Sequence, residues 1–592
     1  MSHDIIIVGG GVAGCALAAR LSEADSLQVL LIEAGSDHNK DPRVKTPMLF
    51  RQSFSDRNID WDHHAIPQEE IHGKQTVHPR GKGLGGSSLI NYMSLHHPTR
   101  SVYDAWASAG NPGWGWDDML PYIRKFHTYV EPSDEVRNAL KLDNIDKNAQ
   151  GKDGPVQLTH ATEVNPLDKV WLETFENIGH AMTMDPLSGE PTGAYNVLAT
   201  AAANKERSHA AAAYLDSARN RSNLTVVCNA QVTKLIFSGN RATGVIYTQD
   251  GSENSVSASK EVILCCGAFE SPALLERSGI GRSDVLQRLG VAPALINENV
   301  GESLQDHLFT ACSLEIDPKF VTFDQFRDID NVKRALEAYQ NNHTGPFAGT
   351  FRNMAHLPLL SSADDFDIDG ILSSYKGPRT PAFNLAEDHV RTLLKQNRNA
   401  SATFILVPAQ VHMQHTDSLA NIIAPTDPGS YVSPHVAISH PLSRGSVHAR
   451  STDVGDIIID PRYYTHPLDV ALAARHVKFI DTLINTEPLK SVIVPDGRRI
   501  PEWASFDTLD DTEKLLRYSN ASFYHPVGTC SMLPREKGGV VDSRLRVYGI
   551  EGLRICDASV FPLIPRSSLM SSVYTAAEKA ADMIKEDLGV RG

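Results

Sequence analysis

Asp4-Ile5-Ile6-Ile7-Val8-Gly9-Gly10-Gly11-Val12-Ala13-Gly14 opens the chain, with Glu33 nineteen residues beyond Gly14. The apolar run predicts a buried parallel strand, and Gly9-x-Gly11-x-x-Gly14 followed by Cys15 to Leu21 predicts the turn and helix that receive it. The three glycines differ in what they do. Gly9 makes the tight turn, Gly11 lets backbone approach a pyrophosphate, and Gly14 lets helix and strand pack closely. The helix N-terminus then offers unpaired N–H groups and the positive end of its dipole to phosphates. A second strand, Gln28 to Ile32, delivers Glu33 where a ribose would present hydroxyls. That carboxylate suits a 2′,3′-diol and repels a 2′-phosphate. A mere connector needs neither the second strand nor the acid, so the stretch reads as a dinucleotide site. Ala34-Gly35 after the acid leans towards FAD over NAD without deciding it.

At 592 residues the chain is longer than one ordinary core can use, so two domains are expected. A hydrophobic content of 41% and a charged content of 21% are those of a soluble globular protein. The formal charge of −15 opposes non-specific nucleic-acid binding, because a polyanion would be repelled. No apolar run approaches the roughly twenty residues that span a bilayer. The first apolar run is short and lacks the basic flank of a secretory signal. No membrane association and an intracellular, cytoplasmic location are therefore expected. The seven cysteines are scattered, odd in number and mostly in apolar contexts, as reduced small hydrophobes would be. No metal site is expected, and oligomeric state is left open.

Two further stretches are informative. Pro79-Arg80-Gly81-Lys82-Gly83-Leu84-Gly85-Gly86-Ser87-Ser88, before an apolar helix-like run through Asn91 and Met93, lets backbone lie close to a large flat ligand. A tight loop with a Ser cap explains Ser87 and Ser88 but not four glycines beside two cations. Val262 to Gly281 reads as strand, glycine turn at Gly267, and helix. Leu224 to Tyr247 alternates like antiparallel strands with a turn at 238–240.

Together these residues resemble the glucose-methanol-choline (GMC) flavin oxidoreductases. Gly81 to Asp104 is similar to that family's first signature, with Leu95 where an aromatic is usual, and Gly267 to Gly281 to its second. Asn299 to His307, Ser443 to Val447, His525 to Cys530 and Asp557 to Pro562 resemble further landmarks in the same order. The resemblance implies FAD and an α/β fold. A Rossmann-like FAD-binding domain would take 1–160, 226–310 and 540–592, and an interleaved substrate domain, an antiparallel sheet flanked by helices, 161–225 and 311–539. It implies that Asn91 and Met93 lie by the isoalloxazine, Val232 meets adenine through its backbone, and Asp557-Ala558 sits near the pyrophosphate and ribityl chain. Val12, Ala13, Ala34, Arg80, Gly81, Gly86, Ser87, Gly267 and Leu569 complete the expected cofactor set. Some members attach flavin to a histidine just before the Asn91 position. Here Ile90 stands there, so non-covalent FAD is expected, with His96 and His97 structural or pocket-lining.

Alcohol oxidation needs a neutral base within hydrogen-bond reach of the hydroxyl, a role suited to histidine. Residue type cannot choose among 24 histidines. The resemblance assigns His525. The second substrate-oxygen ligand, usually His or Asn, falls at Ser568, which is neither a useful base nor a charged oxyanion stabiliser. Either Ser568 positions the substrate more weakly, or Arg566 swings in, or the chemistry differs. Asn91 to Trp106 and Ile564 to Tyr574 resemble the fungal formate-oxidase and aryl-alcohol-oxidase branch. Formate chemistry would call for arginine at the Ser568 position. An uncharged alcohol is thus the expected substrate, oxidised with His525 as base and the flavin reoxidised by O2 or another acceptor. Redox-neutral lyase, cyclase or decarboxylase activity is the second reading, and non-catalytic flavin binding the third.

Overall fold

The computed structural model describes residues 2–161, 163–359, 366–396, 399–415 and 419–590. Strand β1 (Ser2–Val8) lies between β2 (Val29–Ile32) and Ser252–Leu264, parallel to both. Ile5, Ile6 and Ile7 are wholly buried, which is why this strand reads as a continuous apolar run. Helix α1 (Val12–Leu21) follows the glycine turn. The late strand Leu553–Ile555 returns to run parallel to the end of Ser252–Leu264.

Leu224–Val227 departs from the antiparallel expectation: it runs parallel to β2 and forms the sheet edge, and only Ala230–Ser238 and Arg241–Gln249 make a hairpin. Alternating apolar residues fix the strand but not its partner, which lies almost two hundred residues away. The run after Ser88 is likewise no α-helix. A single 3-10 turn, Gly86–Leu89, gives way to an extended pair, Ser94–Leu95 with Leu198–Ala199.

The second large sheet is antiparallel and has eight strands among the described residues, including Gly193–Asn196, Leu308–Ala311, Asn353–Leu357, Ala402–Val407, Ser430–Ile438 and Asn520–Ser522. Helix Pro467–Ile484 packs on Ser430–Ile438, and Pro166–Asn177 on Gly193–Asn196 and Asn353–Leu357. The division at 225/226 falls inside strand Leu224–Val227, and that at 310/311 inside Leu308–Ala311. Buried side chains of both sheets join one continuous apolar core. Among the described residues no helix is long and apolar enough to cross a membrane.

Candidate active site

A cavity of about 350 Å³ lies between the two sheets. Every candidate residue except Gly14 lines it: Gly9, Gly11, Val12, Ala13, Glu33, Ala34, Arg80, Gly81, Gly86, Ser87, Asn91, Met93, Val232, Gly267, His525, Asp557, Ala558, Ser568 and Leu569. Gly14 lies behind the wall, where a Cβ would stand 1.9 Å from the Gly9 carbonyl oxygen, so only glycine lets the helix sit on the turn.

The first end of the cavity suits a dinucleotide. No side chain caps α1 and its first turn holds no acid, so its N-terminal amides face the cavity without a protein partner of that kind. A Cβ on Gly11 would find nothing closer than 3.9 Å, leaving room in front of the turn. The second glycine stretch packs directly on the first: Gly85 N–H donates to the Gly10 carbonyl at 2.7 Å, and a Cβ on Gly86 would come within 2.7 Å of Gly11 Cα. Glu33 accepts from Gly10 N–H at 2.7 Å and Gly35 N–H at 2.8 Å, which orients its carboxylate and leaves lone pairs for a ribose diol. Asp557 accepts from Gly267 N–H at 2.9 Å and from the Ser271 hydroxyl at 2.6 Å, so it builds the Gly267 turn. Residues 88–91 are braced by Arg207, whose Nη1 donates to Asn91 Oδ1 at 2.7 Å and to the Asn91 carbonyl at 2.8 Å. Nothing in the sequence pointed to Arg207.

His525 follows strand Asn520–Ser522 through Tyr524, a non-glycine residue at φ 63° that redirects the chain into the cavity. Buried Asp306 fixes this corner, accepting from His525 N–H at 2.7 Å and from the Ser522 hydroxyl at 2.6 Å, and also from the Tyr463 hydroxyl. Arg80 donates to the Tyr524 carbonyl at 2.7 Å, tying the glycine loop to it. His525 Nδ1 is 2.9 Å from His307 Nδ1, and His307 Nε2 is 2.8 Å from the Ser439 carbonyl. A carbonyl only accepts, so His307 carries its proton on Nε2 and accepts at Nδ1. His525 must therefore donate from Nδ1, which leaves its Nε2 bare towards the cavity. Burial, then His307, Arg80 and His96, holds His525 well below the usual histidine range, so it stays neutral. Asp306 and His307 lie in the landmark Asn299 to His307, but their pairing across more than two hundred residues had no sequence signature.

The far wall is apolar, with Phe351, Met354, Ile405, Val407, Met413 and Phe523. The charged lining residues, Glu33, Arg80, Glu270, Arg277 and Asp557, belong to the first sheet's segments and the glycine loop. Ser568 lines the cavity, but its hydroxyl donates to the Ser94 carbonyl at 3.1 Å. Arg566 does not reach in: it is buried, gives Nη1 to the Pro191 carbonyl at 2.7 Å, and lines a separate cavity of about 60 Å³. Among the described residues no group of three or more His, Cys, Asp or Glu is placed to hold a metal ion.

A nucleotide turn on a mostly parallel sheet, facing a neutral histidine across one cavity, defines a flavin-type oxidoreductase. The chain belongs to the GMC oxidoreductases: the N-terminal family model matches residues 3–309 and the C-terminal one 441–577. These enzymes bind FAD. The chain is 33% identical to the dehydrogenase mpl7 of Monascus purpureus over 99% of its own length and 96% of the relative's. An FAD-dependent oxidoreductase from Chaetomium thermophilum superposes with a TM-score of 0.88 at 26% identity, covering 100% of both chains. A fungal aryl-alcohol oxidase superposes at 0.84 with 25% identity over 99% of each.

Proposed function

We propose that this oxidoreductase oxidises an uncharged, largely apolar alcohol. The observation that carries the reading is the bare Nε2 of neutral His525, facing a cavity whose far wall, with Phe351, Met354, Ile405, Val407, Met413 and Phe523, is apolar. His525 accepts the hydroxyl proton at Nε2, and the charge is shared through Nδ1–H with His307. The apolar wall excludes water and holds the carbon chain or ring of the substrate. Bound FAD supplies the hydride acceptor, to be reoxidised by O2 or another acceptor.

Glu33 and Ala34 would hold the adenosine ribose, Val232 the adenine, and Gly9 to Ala13 with Gly267, Asp557 and Ala558 the pyrophosphate and ribityl chain. Arg80, Gly81, Gly86, Ser87, Asn91, Met93 and Leu569 would hold the flavin end. Ile90 lines the cavity without a nucleophile, which supports non-covalent attachment. The FAD-holding unit is proposed to comprise 1–160, 224–307 and 540–592.

Anaerobic stopped-flow mixing with aromatic and aliphatic alcohols tests the reading: bleaching of the flavin is expected. His525→Ala should slow it by about two to four orders of magnitude, the span for losing a positioned base. Product formation without flavin reduction would replace oxidation by a redox-neutral lyase, cyclase or decarboxylase reaction. FAD released by acid precipitation checks attachment.

A further inference from the structure

An alcohol oxygen whose proton goes to His525 still needs a donor, and the two groups named from the sequence do not supply one. Ser568 gives its one hydroxyl proton to Ser94, and Arg566 is turned into the smaller cavity. Two residues after Ser94 stands His96, buried between the two cavities, lining the smaller one and also the wall that His525 and Ser568 share. Its Nδ1 is 2.7 Å from the Tyr195 hydroxyl, which is 2.9 Å from His356 Nε2, and His356 Nδ1 is 3.1 Å from Thr403 Oγ1. His96 Nε2 takes no protein partner among the described residues.

This chain of four groups has two proton orders. In one, each group donates away from the cavity and Thr403 ends on the Arg566 carbonyl at 3.5 Å, long for an O–H···O bond. In the other, Thr403 donates to His356 Nδ1, His356 Nε2–H to Tyr195, Tyr195 to His96 Nδ1, and His96 Nε2–H into the cavity. Only the weak 3.5 Å contact is given up, and a substrate oxygen offers a bond of ordinary strength in return. His435 also lines the cavity, but its Nδ1 faces the Ser433 carbonyl at 2.8 Å. It must carry its proton there, so while neutral it can only accept at Nε2.

We propose that His96 is the second catalytic residue, its Nε2–H donating to the substrate hydroxyl oxygen in a tautomer set by Tyr195, His356 and Thr403. The proposal rests on the alcohol-oxidation reading above. The O–H proton goes to His525 Nε2 and the hydride to the flavin, while His96 keeps its proton and ends hydrogen-bonded to the product carbonyl. Its bond strengthens as charge builds on that oxygen. Burial first, then Arg566, holds the His96 pKa down to about 3, so it acts as a neutral donor.

The test compares the FAD-loaded wild type with His96→Leu, His96→Gln, Tyr195→Phe and Ser568→Ala. One readout is flavin reduction by benzyl alcohol, and the other is benzaldehyde affinity, from its perturbation of the flavin spectrum without turnover. His96→Leu should slow reduction about 10²–10³-fold, as loss of an oxyanion donor does. It should also weaken benzaldehyde about tenfold. His96→Gln, which keeps an N–H near the Nε2 position, should recover at least tenfold of the lost rate. Tyr195→Phe, behind the wall, should lower the rate several-fold, and Ser568→Ala should lose at least tenfold less rate than His96→Leu. Rates and aldehyde affinities within threefold of wild type in His96→Leu, or a Ser568→Ala loss equal to that of His96→Leu, would overturn the proposal. Should His96→Leu not hold FAD, His96→Gln and Tyr195→Phe decide it on both readouts. Should no alcohol bleach the wild-type flavin, the oxidation reading falls, and the aldehyde affinities alone decide whether His96 holds the oxygen.

Discussion

Backbone carbonyls fix the ring protons of His307 and His435, because a carbonyl can only accept. Ser439 does so for His307 and, through it, for His525. The low pKa of His525 gives a signed expectation: its neutral, proton-accepting form persists at all pH values above that depressed pKa. Flavin reduction should be flat from neutrality to below pH 6 and fall only at more acid pH, measured by anaerobic stopped flow across buffers. An acid limb centred near the ordinary histidine value of about 6.5 would mean that His525 is not so shielded, or is not the base. His307→Leu should lower the rate roughly tenfold, since the proton of His525 could then move to Nε2. At this scale the sequence, through its family resemblance, proposed His525 as base, a residue that lines the cavity, and flagged Ser568 as unusual. It could not reveal that the Ser568 proton is committed to Ser94, because that bond joins residues 474 positions apart.

Elements are joined by buried charge as well as by sheet pairing. Strand Gly445–Ala449 pairs with Glu302–Leu304 and Ile457–Asp460, and from it His448 places Nδ1 2.6 Å from Glu276 on helix Gly267–Arg277 and Nε2 3.2 Å from Glu302. Burial lowers the His448 pKa, but the bonds to Glu276 and Glu302 outweigh it and raise the pKa to about 9. A folded pKa above the unfolded value stabilises fully below about pH 6.5 and is lost as pH rises through about 9. The melting temperature should therefore fall by a few degrees between pH 6.5 and 9.5, and calorimetry of His448→Gln should show a flatter profile over that range. A His448→Gln profile parallel to wild type would assign the loss to other groups. Ser443 to Val447 was legible as a landmark, and strand Val262 to Leu264 with the helix after Gly267 as an element pair. Their clamping was not, because hydrophobic pattern reports which face is buried and not which acid waits there. The same limit made Leu224–Val227 look antiparallel.

Over the whole molecule, the two sheets and the ends of the chain close on one core, so the cavity depends on contacts far from it. Helix Met570–Asp587 begins beside the cavity, where Asn91 Nδ2 donates to Met570 Sδ at 3.2 Å, and continues along α1. Its Glu578, fully buried, accepts from Arg20 Nε at 2.9 Å and Nη2 at 2.9 Å, and from the Tyr214 hydroxyl at 2.7 Å. The first helix, whose N-terminus would hold pyrophosphate, is thereby fastened to the last one, whose N-terminus lines the cavity beside Asn91. Removing one partner of a fully buried pair costs about 3–5 kcal/mol. Arg20 keeps 22% exposure and some hydration, which places Glu578→Gln lower, at about 2–3 kcal/mol. Urea unfolding with saturating FAD should show the midpoint shifted down by that amount. Because both helix N-termini line the cavity and lean on this junction, the variant should also need more FAD to reach full occupancy, read by flavin fluorescence quenching. An unchanged midpoint with normal FAD affinity would show that the apolar packing of the two helices holds the junction without the charged network.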